Sequence, residues 1–196
     1  IEKEIAKLVI ATDISKGSLE KTINYIKEED LSEYIITRLG NGLQPIKPFE
    51  VDTVIIAGMG GLLIVDILEE SKDKLDTYLD YILQPMVGAD ELRKYLLNNG
   101  FKIKNDKVVR EGDKFYEIIH AIRGLDIAKN EVDYEISPLW FEDSDKTWKE
   151  MMESRLSILK SVKYDLRDKD SEKSRDRLIE INDKIKIYQE VLGVED

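Results

Sequence analysis

The sequence has no cysteine and a single histidine, His120. Disulfides, thiolate zinc sites and a thiol nucleophile are excluded, and one imidazole cannot build a multi-histidine metal site, so no metal is expected. Proline is scarce, and no apolar run approaches the roughly 20 residues that a membrane span needs. The longest runs, 54–57 and 62–65, are broken by glycine or charge and read as buried strand and buried helix. The opening Ile-Glu-Lys-Glu is not a secretory signal. These absences fit a reducing cytoplasm and no membrane partner. Positive charge is also short: 30 basic against 41 acidic residues leave a net charge of −11. That argues against binding nucleic acid through bulk phosphate neutralisation, so any RNA contact must come from a local patch.

What remains is 42 % hydrophobic over 196 residues, enough for one ordinary domain and an appendage. Residues 6–14 read as a buried strand ending at Asp13. A helix over 15–29 follows, with Leu19, Ile23 and Ile26 on one face and Ser15 or Ser18 as its cap. Residues 34–39 form a second strand closed by Gly40-Asn41-Gly42, and the apolar run 52–57 is typical of a parallel strand. Gly58-Met59-Gly60-Gly61 turns the chain into an apolar helix over 62–69. A strand over 78–83 is broken by Gln84-Pro85, and a helix over 90–98 stops at Gly100. Strands over 101–110 and 114–122 meet at Glu111-Gly112-Asp113, a hairpin signal. Alternating strands and helices imply a parallel sheet, with the terminal hairpin adding antiparallel strands at one edge.

From about Ser144 the period changes. Trp148, Met152, Leu156, Leu159, Val162 and Leu166 recur every three or four residues. Leu178, Ile181, Ile185, Tyr188 and Leu192 do the same after the polar turn 167–172. Two such stripes predict an antiparallel helical hairpin, coiled-coil-like. The expected organisation is an α/β Rossmann-like domain over 1–124, a linker over 125–143 and the hairpin over 144–196. Trp140, Phe141 and Trp148 read as packing between them.

The strings Ile10-Ala11-Thr12-Asp13-Ile14-Ser15-Lys16-Gly17, Arg38-Leu39-Gly40-Asn41-Gly42-Leu43, Asp52 to Gly61, Leu83-Gln84-Pro85 and Phe115-Tyr116-Glu117-Ile118 stand in this order. In that order, and with the helical tail, the chain resembles the bacterial tRNA (adenine-22-N1)-methyltransferases, which are class I methyltransferases. The resemblance implies S-adenosylmethionine as cofactor, tRNA as partner and methyl transfer to N1 of adenine 22. It also implies a first strand, a glycine-rich cofactor loop and the key carboxylate upstream of Ile1, so that the catalytic residue is not among those present. A fragment lacking that strand would leave two sheet edges unpaired and bind the cofactor poorly.

The residues can be read for these roles one by one. Asp13, at a strand's carboxyl end with Ile14 beside it, can accept from both ribose hydroxyls, or cap the next helix. Asn41 and Gly42 can read an adenine edge, or form a turn with positive φ. Ala57, Gly58 and Met59 would line the cofactor and Gly60 and Gly61 the substrate base, or simply pack where strand turns to helix. A dinucleotide fingerprint fails, because Leu63 stands where its third glycine belongs. Gln84 and Pro85 touch the base or end the strand. His120, in an alternating strand, reads as structural. Lys146, Lys149, Arg155, Lys160 and Lys163, with Lys173, Arg175 and Arg177, are candidates for RNA phosphates. The acidic neighbours Glu150, Glu153 and Asp176 also allow a merely solvated face. A methyltransferase with a non-RNA substrate and a non-catalytic binding protein stay open, and the acidic charge favours both.

Overall fold

The computed structural model of the protein describes residues 6–167 and 171–195. Residues 168–170 of the expected polar turn lie outside the described residues. Strand β1 (Val9–Asp13) pairs in parallel with β2 (Ile35–Leu39), and α1 (Lys16–Glu28) crosses between them. Ser15 caps α1 by accepting from the Ser18 N–H, which satisfies one of the helix's orphan donors. A second sheet has the order β3 (Thr53–Met59), β4 (Asp80–Pro85), β6 (Lys114–Arg123), β5 (Phe101–Glu111). Its first pair is parallel and the other two are antiparallel. Helices α2 (Gly61–Glu69) and α3 (Ala89–Asn98) follow β3 and β4.

The strand and helix pattern is therefore the expected one. The sheet is in two hydrogen-bonded parts, and among the described residues β1 and β3 each present an edge without a ladder partner. Strand β4 also starts later than its apolar run, because residues 72–77 wind into a 3₁₀ turn, and it continues through Gln84 and Pro85. Pro85 lies beyond the last β4–β6 pair, Leu83 with Ile119, so its missing N–H costs no bond on that side.

Two apolar cores result. One gathers Val54, Ile56, Tyr81, Leu83, Phe101, Ile119 and Ala121 of the sheet with Ile64, Ile67, Leu68, Leu92 and Leu96 of the helices. The other gathers the hairpin, α5 (Thr147–Leu166) and α6 (Glu172–Leu192), around Trp140, Ile136 and Val108. Residues before the hairpin form the short α4 (Val132–Glu135) and a 3₁₀ turn, Pro138–Phe141. Trp140 stacks on Trp148 at 6.5 Å, and Phe141 meets Trp148 edge-on at 5.1 Å, so these aromatics pack as expected. No helix among the described residues is long and apolar enough to cross a membrane.

Arg93 of α3 ties the cores together. Its side chain is 1 % exposed and donates through Nε and Nη2 to Asp106 (2.7 and 3.2 Å), through Nη2 to Glu117 (2.5 Å) and through Nη1 to the Tyr134 carbonyl (3.0 Å). The Trp140 indole donates to Asp106 at 3.0 Å, and Arg155 of α5 closes the far side of Glu117. Burial alone would push the Glu117 carboxyl up. The two guanidinium groups outweigh it and hold the group below the usual carboxylate range.

A group depressed in this way stabilises the fold above its unfolded pKa, and that stability is lost as pH falls through the folded value. Arg93→Met should lower stability near neutral pH by about 3–5 kcal/mol, because it leaves buried carboxylates uncompensated. In urea unfolding at a series of pH values, the gap between variant and wild type should narrow as acid protonates Glu117.

Candidate functional site

Parallel strands end in loops on one side of their sheet, where polar backbone is free to meet a ligand. Asp13 is the last residue of β1. Its carbonyl accepts from the Gly40 N–H at 3.0 Å, and the Thr12 hydroxyl donates to the Gly42 carbonyl at 2.8 Å. Asp13 and Asn41 are thereby brought to neighbouring strand ends. One Asp13 carboxylate oxygen, Oδ1, accepts from the Ser15 N–H at 2.7 Å, so the residue does help start α1. Oδ2 carries no hydrogen bond among the described residues. Ile14, next in the chain, is exposed.

The loop from 40 to 50 is held from behind. Arg38 donates to both oxygens of Glu50 (2.7 and 2.5 Å) and to the Pro45 carbonyl (2.9 Å), and it draws the Glu50 carboxyl down to about 2. Lys74 is buried, and its ammonium donates to the carbonyls of Leu43 (2.7 Å) and Ile46 (2.8 Å). Gly42 lies so close to α2 that a Cβ there would meet Ile67 Cγ2 at 2.5 Å. The side-chain amides of Asn41 and Gln44 donate to Glu70 Oε2 at 2.9 and 3.0 Å.

At the end of β3, Ala57, Gly58 and Met59 are exposed. The Gly58 N–H donates to Gln84 Oε1 (2.9 Å), the Met86 N–H to the Met59 carbonyl (2.7 Å) and the Gly61 N–H to the Val87 carbonyl (2.7 Å). The 58–61 and 84–88 turns are thus one unit. A Cβ on Gly61 would lie 1.9 Å from the Gly88 carbonyl oxygen, so packing alone demands glycine there. Gly58 differs: at φ +77° a Cβ would meet nothing within 4 Å, and packing does not account for it. Pro85 is buried and Gln84 half-buried, and the Gln84 nitrogen donates to the Pro85 carbonyl at 3.0 Å, so its amide is spent on holding the turn. The two halves of the site are linked through α2, which starts at Gly61 and carries Ile67 about 9 Å further along, with Glu70 beyond it. A carboxylate oxygen, an amide and open glycine backbone at strand ends suit a ribonucleoside.

The basic candidates separate. Lys149, Lys160 and Lys163 are exposed on α5. Lys146 donates to the Asp143 carbonyl at 2.6 Å, and Lys149 also lies 5.5 Å over the Trp148 ring. Arg155 must be reassigned: its guanidinium is paired with buried Glu117, so it holds the hairpin to the sheet instead of facing phosphate. His120 contacts Asp80 at 2.6 Å across β4 and β6, consistent with a structural residue. Glu117 was detectable in the sequence, since it shares the inward phase of Ile119 and Ala121. Asp106 was not, because a register shift between Ile103 and Asn105 turns it inward.

The sequence matches the model of the family described as TrmK: tRNA (adenine(22)-N(1))-methyltransferase, over residues 1–190. It is 29 % identical over 192 residues to the tRNA (adenine(22)-N(1))-methyltransferase of Bacillus subtilis strain 168, covering 93 % of this chain and 79 % of that one. The fold is similar to the crystal structure of the B. subtilis m1A22 tRNA methyltransferase TrmK, with 27 % identity, a TM-score of 0.80 and coverage of 93 % and 81 % of the two chains. It is also similar to a Streptococcus pneumoniae protein solved in complex with S-adenosyl-L-methionine, with 29 % identity, a TM-score of 0.85 and coverage of 97 % and 84 %.

The two glycines should respond differently to a methyl group. Gly61→Ala forces the locked turns apart and should cost about 3 kcal/mol. Gly58→Ala meets only backbone strain and should cost about 1–2 kcal/mol. Thermal unfolding of both variants measures the difference.

Proposed function

This chain belongs to the tRNA (adenine(22)-N(1))-methyltransferase family, and we propose that it builds its site from Asp13, Asn41 and the 58–61 turn. It is an S-adenosylmethionine-dependent enzyme that methylates N1 of adenine 22 in tRNA. The observation that carries the residue assignment is the joining of Asp13 to Gly40 and of Thr12 to Gly42. These two bonds set Asp13 and the Asn41–Gly42 pair at neighbouring strand ends.

In this reading the residues fit the cofactor. Asp13 Oδ2 accepts from the ribose hydroxyls, with Ile14 against the nucleoside. Asn41 and Gly42 read the adenine edge, and the exposed backbone of Ala57, Gly58 and Met59 lies along the remainder. When bound, S-adenosylmethionine supplies an electrophilic methyl group on sulfur. The chain's own contribution is position and exclusion of water. Adenine N1 already carries a lone pair, so no strong base is required to activate it. Gly60 lets the planar base come close, and Gln84 fixes the turn beside Pro85 by accepting from the Gly58 N–H and donating to the Pro85 carbonyl. The target adenine must leave its stack to reach this place.

The hairpin supplies Lys146, Lys149, Lys160 and Lys163 for the phosphates of the tRNA body. These local cations offset a net charge that by itself favours a non-RNA partner. Work on tRNA fits a cytoplasmic location.

Two measurements test the reading. Transcribed tRNA with A at position 22 should accept labelled methyl from S-adenosylmethionine, while the same tRNA with G there should not. Equal labelling of both would refute the target. Replacing Lys149, Lys160 and Lys163 together with Ala should raise KM for tRNA about tenfold near physiological salt with kcat little changed. It should also reduce the salt slope by roughly 0.9 for each phosphate that is no longer neutralised.

A further inference from the structure

Glu70 stands at the C-terminal cap of α2, a helix with no basic residue in its last turn. Negative charge is electrostatically unfavourable there, because the helix end already carries partial negative charge. Helix stability therefore does not explain the residue. Its contacts do: Asn41 Nδ2 and Gln44 Nε2 both converge on its Oε2, at 2.9 and 3.0 Å.

A carboxylate can only accept hydrogen bonds, so the atom that Asn41 turns toward Glu70 must be its amide nitrogen. The orientation of an asparagine side chain is ordinarily ambiguous, and here the partner's chemistry settles it. The Asn41 side-chain oxygen, Oδ1, is then the atom left over, and it carries no hydrogen bond among the described residues, whereas the backbone carbonyl accepts from the Gln44 N–H at 2.9 Å. The backbone around it is immobilised by Lys74, by Ile67 against Gly42, and by the Arg38–Glu50 pair.

We propose that Glu70 is a positioning residue: by holding the Asn41 side-chain nitrogen it presents the Asn41 side-chain oxygen Oδ1 as an acceptor, so that the site selects a nucleoside with an exocyclic amine. The inference rests on the reading of Asn41 as the adenine contact. Adenine donates from its 6-amino group to this oxygen. Hypoxanthine places a carbonyl oxygen there instead, and two acceptors face each other.

The test is calorimetric binding of S-adenosylhomocysteine and S-inosylhomocysteine to the full chain. Wild type should prefer the adenosyl ligand by roughly tenfold or more, the usual consequence of leaving a buried polar group unpaired. Glu70→Ala frees the Asn41 amide to turn and should largely erase the preference, while Glu70→Gln, which keeps an acceptor, should retain most of it. Adding Asn41→Asp to Glu70→Ala should restore it, since a carboxylate accepts in either orientation. A merely structural role for Glu70 would not be repaired in this way. Glu70 is exposed, so its replacement leaves the core intact. An unchanged preference in Glu70→Ala, or no recovery in the double variant, overturns the proposal. Wild-type binding of both ligands without preference overturns it alone. Wild-type binding of neither removes the cofactor site itself and this proposal with it.

Discussion

The buried guanidinium of Arg93 is the interaction on which the arrangement of this molecule depends. Four of its five N–H donors have named acceptors, drawn from β5, β6 and the carbonyl of Tyr134 in α4. Through Asp106 it reaches the Trp140 indole, and through Glu117 it reaches Arg155 on the hairpin. Two cations and two carboxylates balance, which is the condition under which charge survives away from water. A hydrophobic contact could slide, whereas this set of directional bonds fixes one orientation. The consequence is geometric: the hairpin that carries Lys149, Lys160 and Lys163 is held in register with the sheet that carries the 58–61 and 84–88 turns.

The site itself depends on close backbone approach. Gly61 against the Gly88 carbonyl locks the turn after β3 to the turn after β4, and Gly42 against Ile67 seats the other loop on α2. Both contacts exclude a side chain for steric reasons alone. What they leave outward is polar: the Asp13 carboxylate oxygen Oδ2, the Asn41 side-chain oxygen and the open backbone at Gly58. Rigid support behind and unsatisfied polar groups in front is the arrangement that positions a ligand without further reorganisation.

An acidic chain that acts on tRNA separates its charges in space. Arg38, Lys74, Arg93 and Arg155 are all engaged inside the fold, each with carboxylates or carbonyls. Lys149 and Lys163, by contrast, stand exposed on the hairpin surface. Counting charge along the chain cannot distinguish these two sets, because burial and pairing decide which cations a phosphate can reach.

The elements were legible because their causes are local. A period of two marks β6, a period near 3.6 marks α5 and α6, and the glycine turns at 40–42 and 58–61 stop strands where polar backbone must emerge. Asp13 and Asn41 could be named from position alone, as residues at the ends of parallel strands. The hidden part is long-range. The register shift in β5 turned Asp106 inward, the packing of α5 on the sheet gave Arg155 to Glu117, and the docking of α2 behind the 40–50 loop gave Asn41 to Glu70. Sequence by itself determined which segments are strand, helix and turn, since those follow from neighbouring residues. Only the tertiary structure decided which buried charges meet, since that depends on residues brought together from 13 to 38 positions apart, as Arg93 is with Asp106 and Arg155 with Glu117.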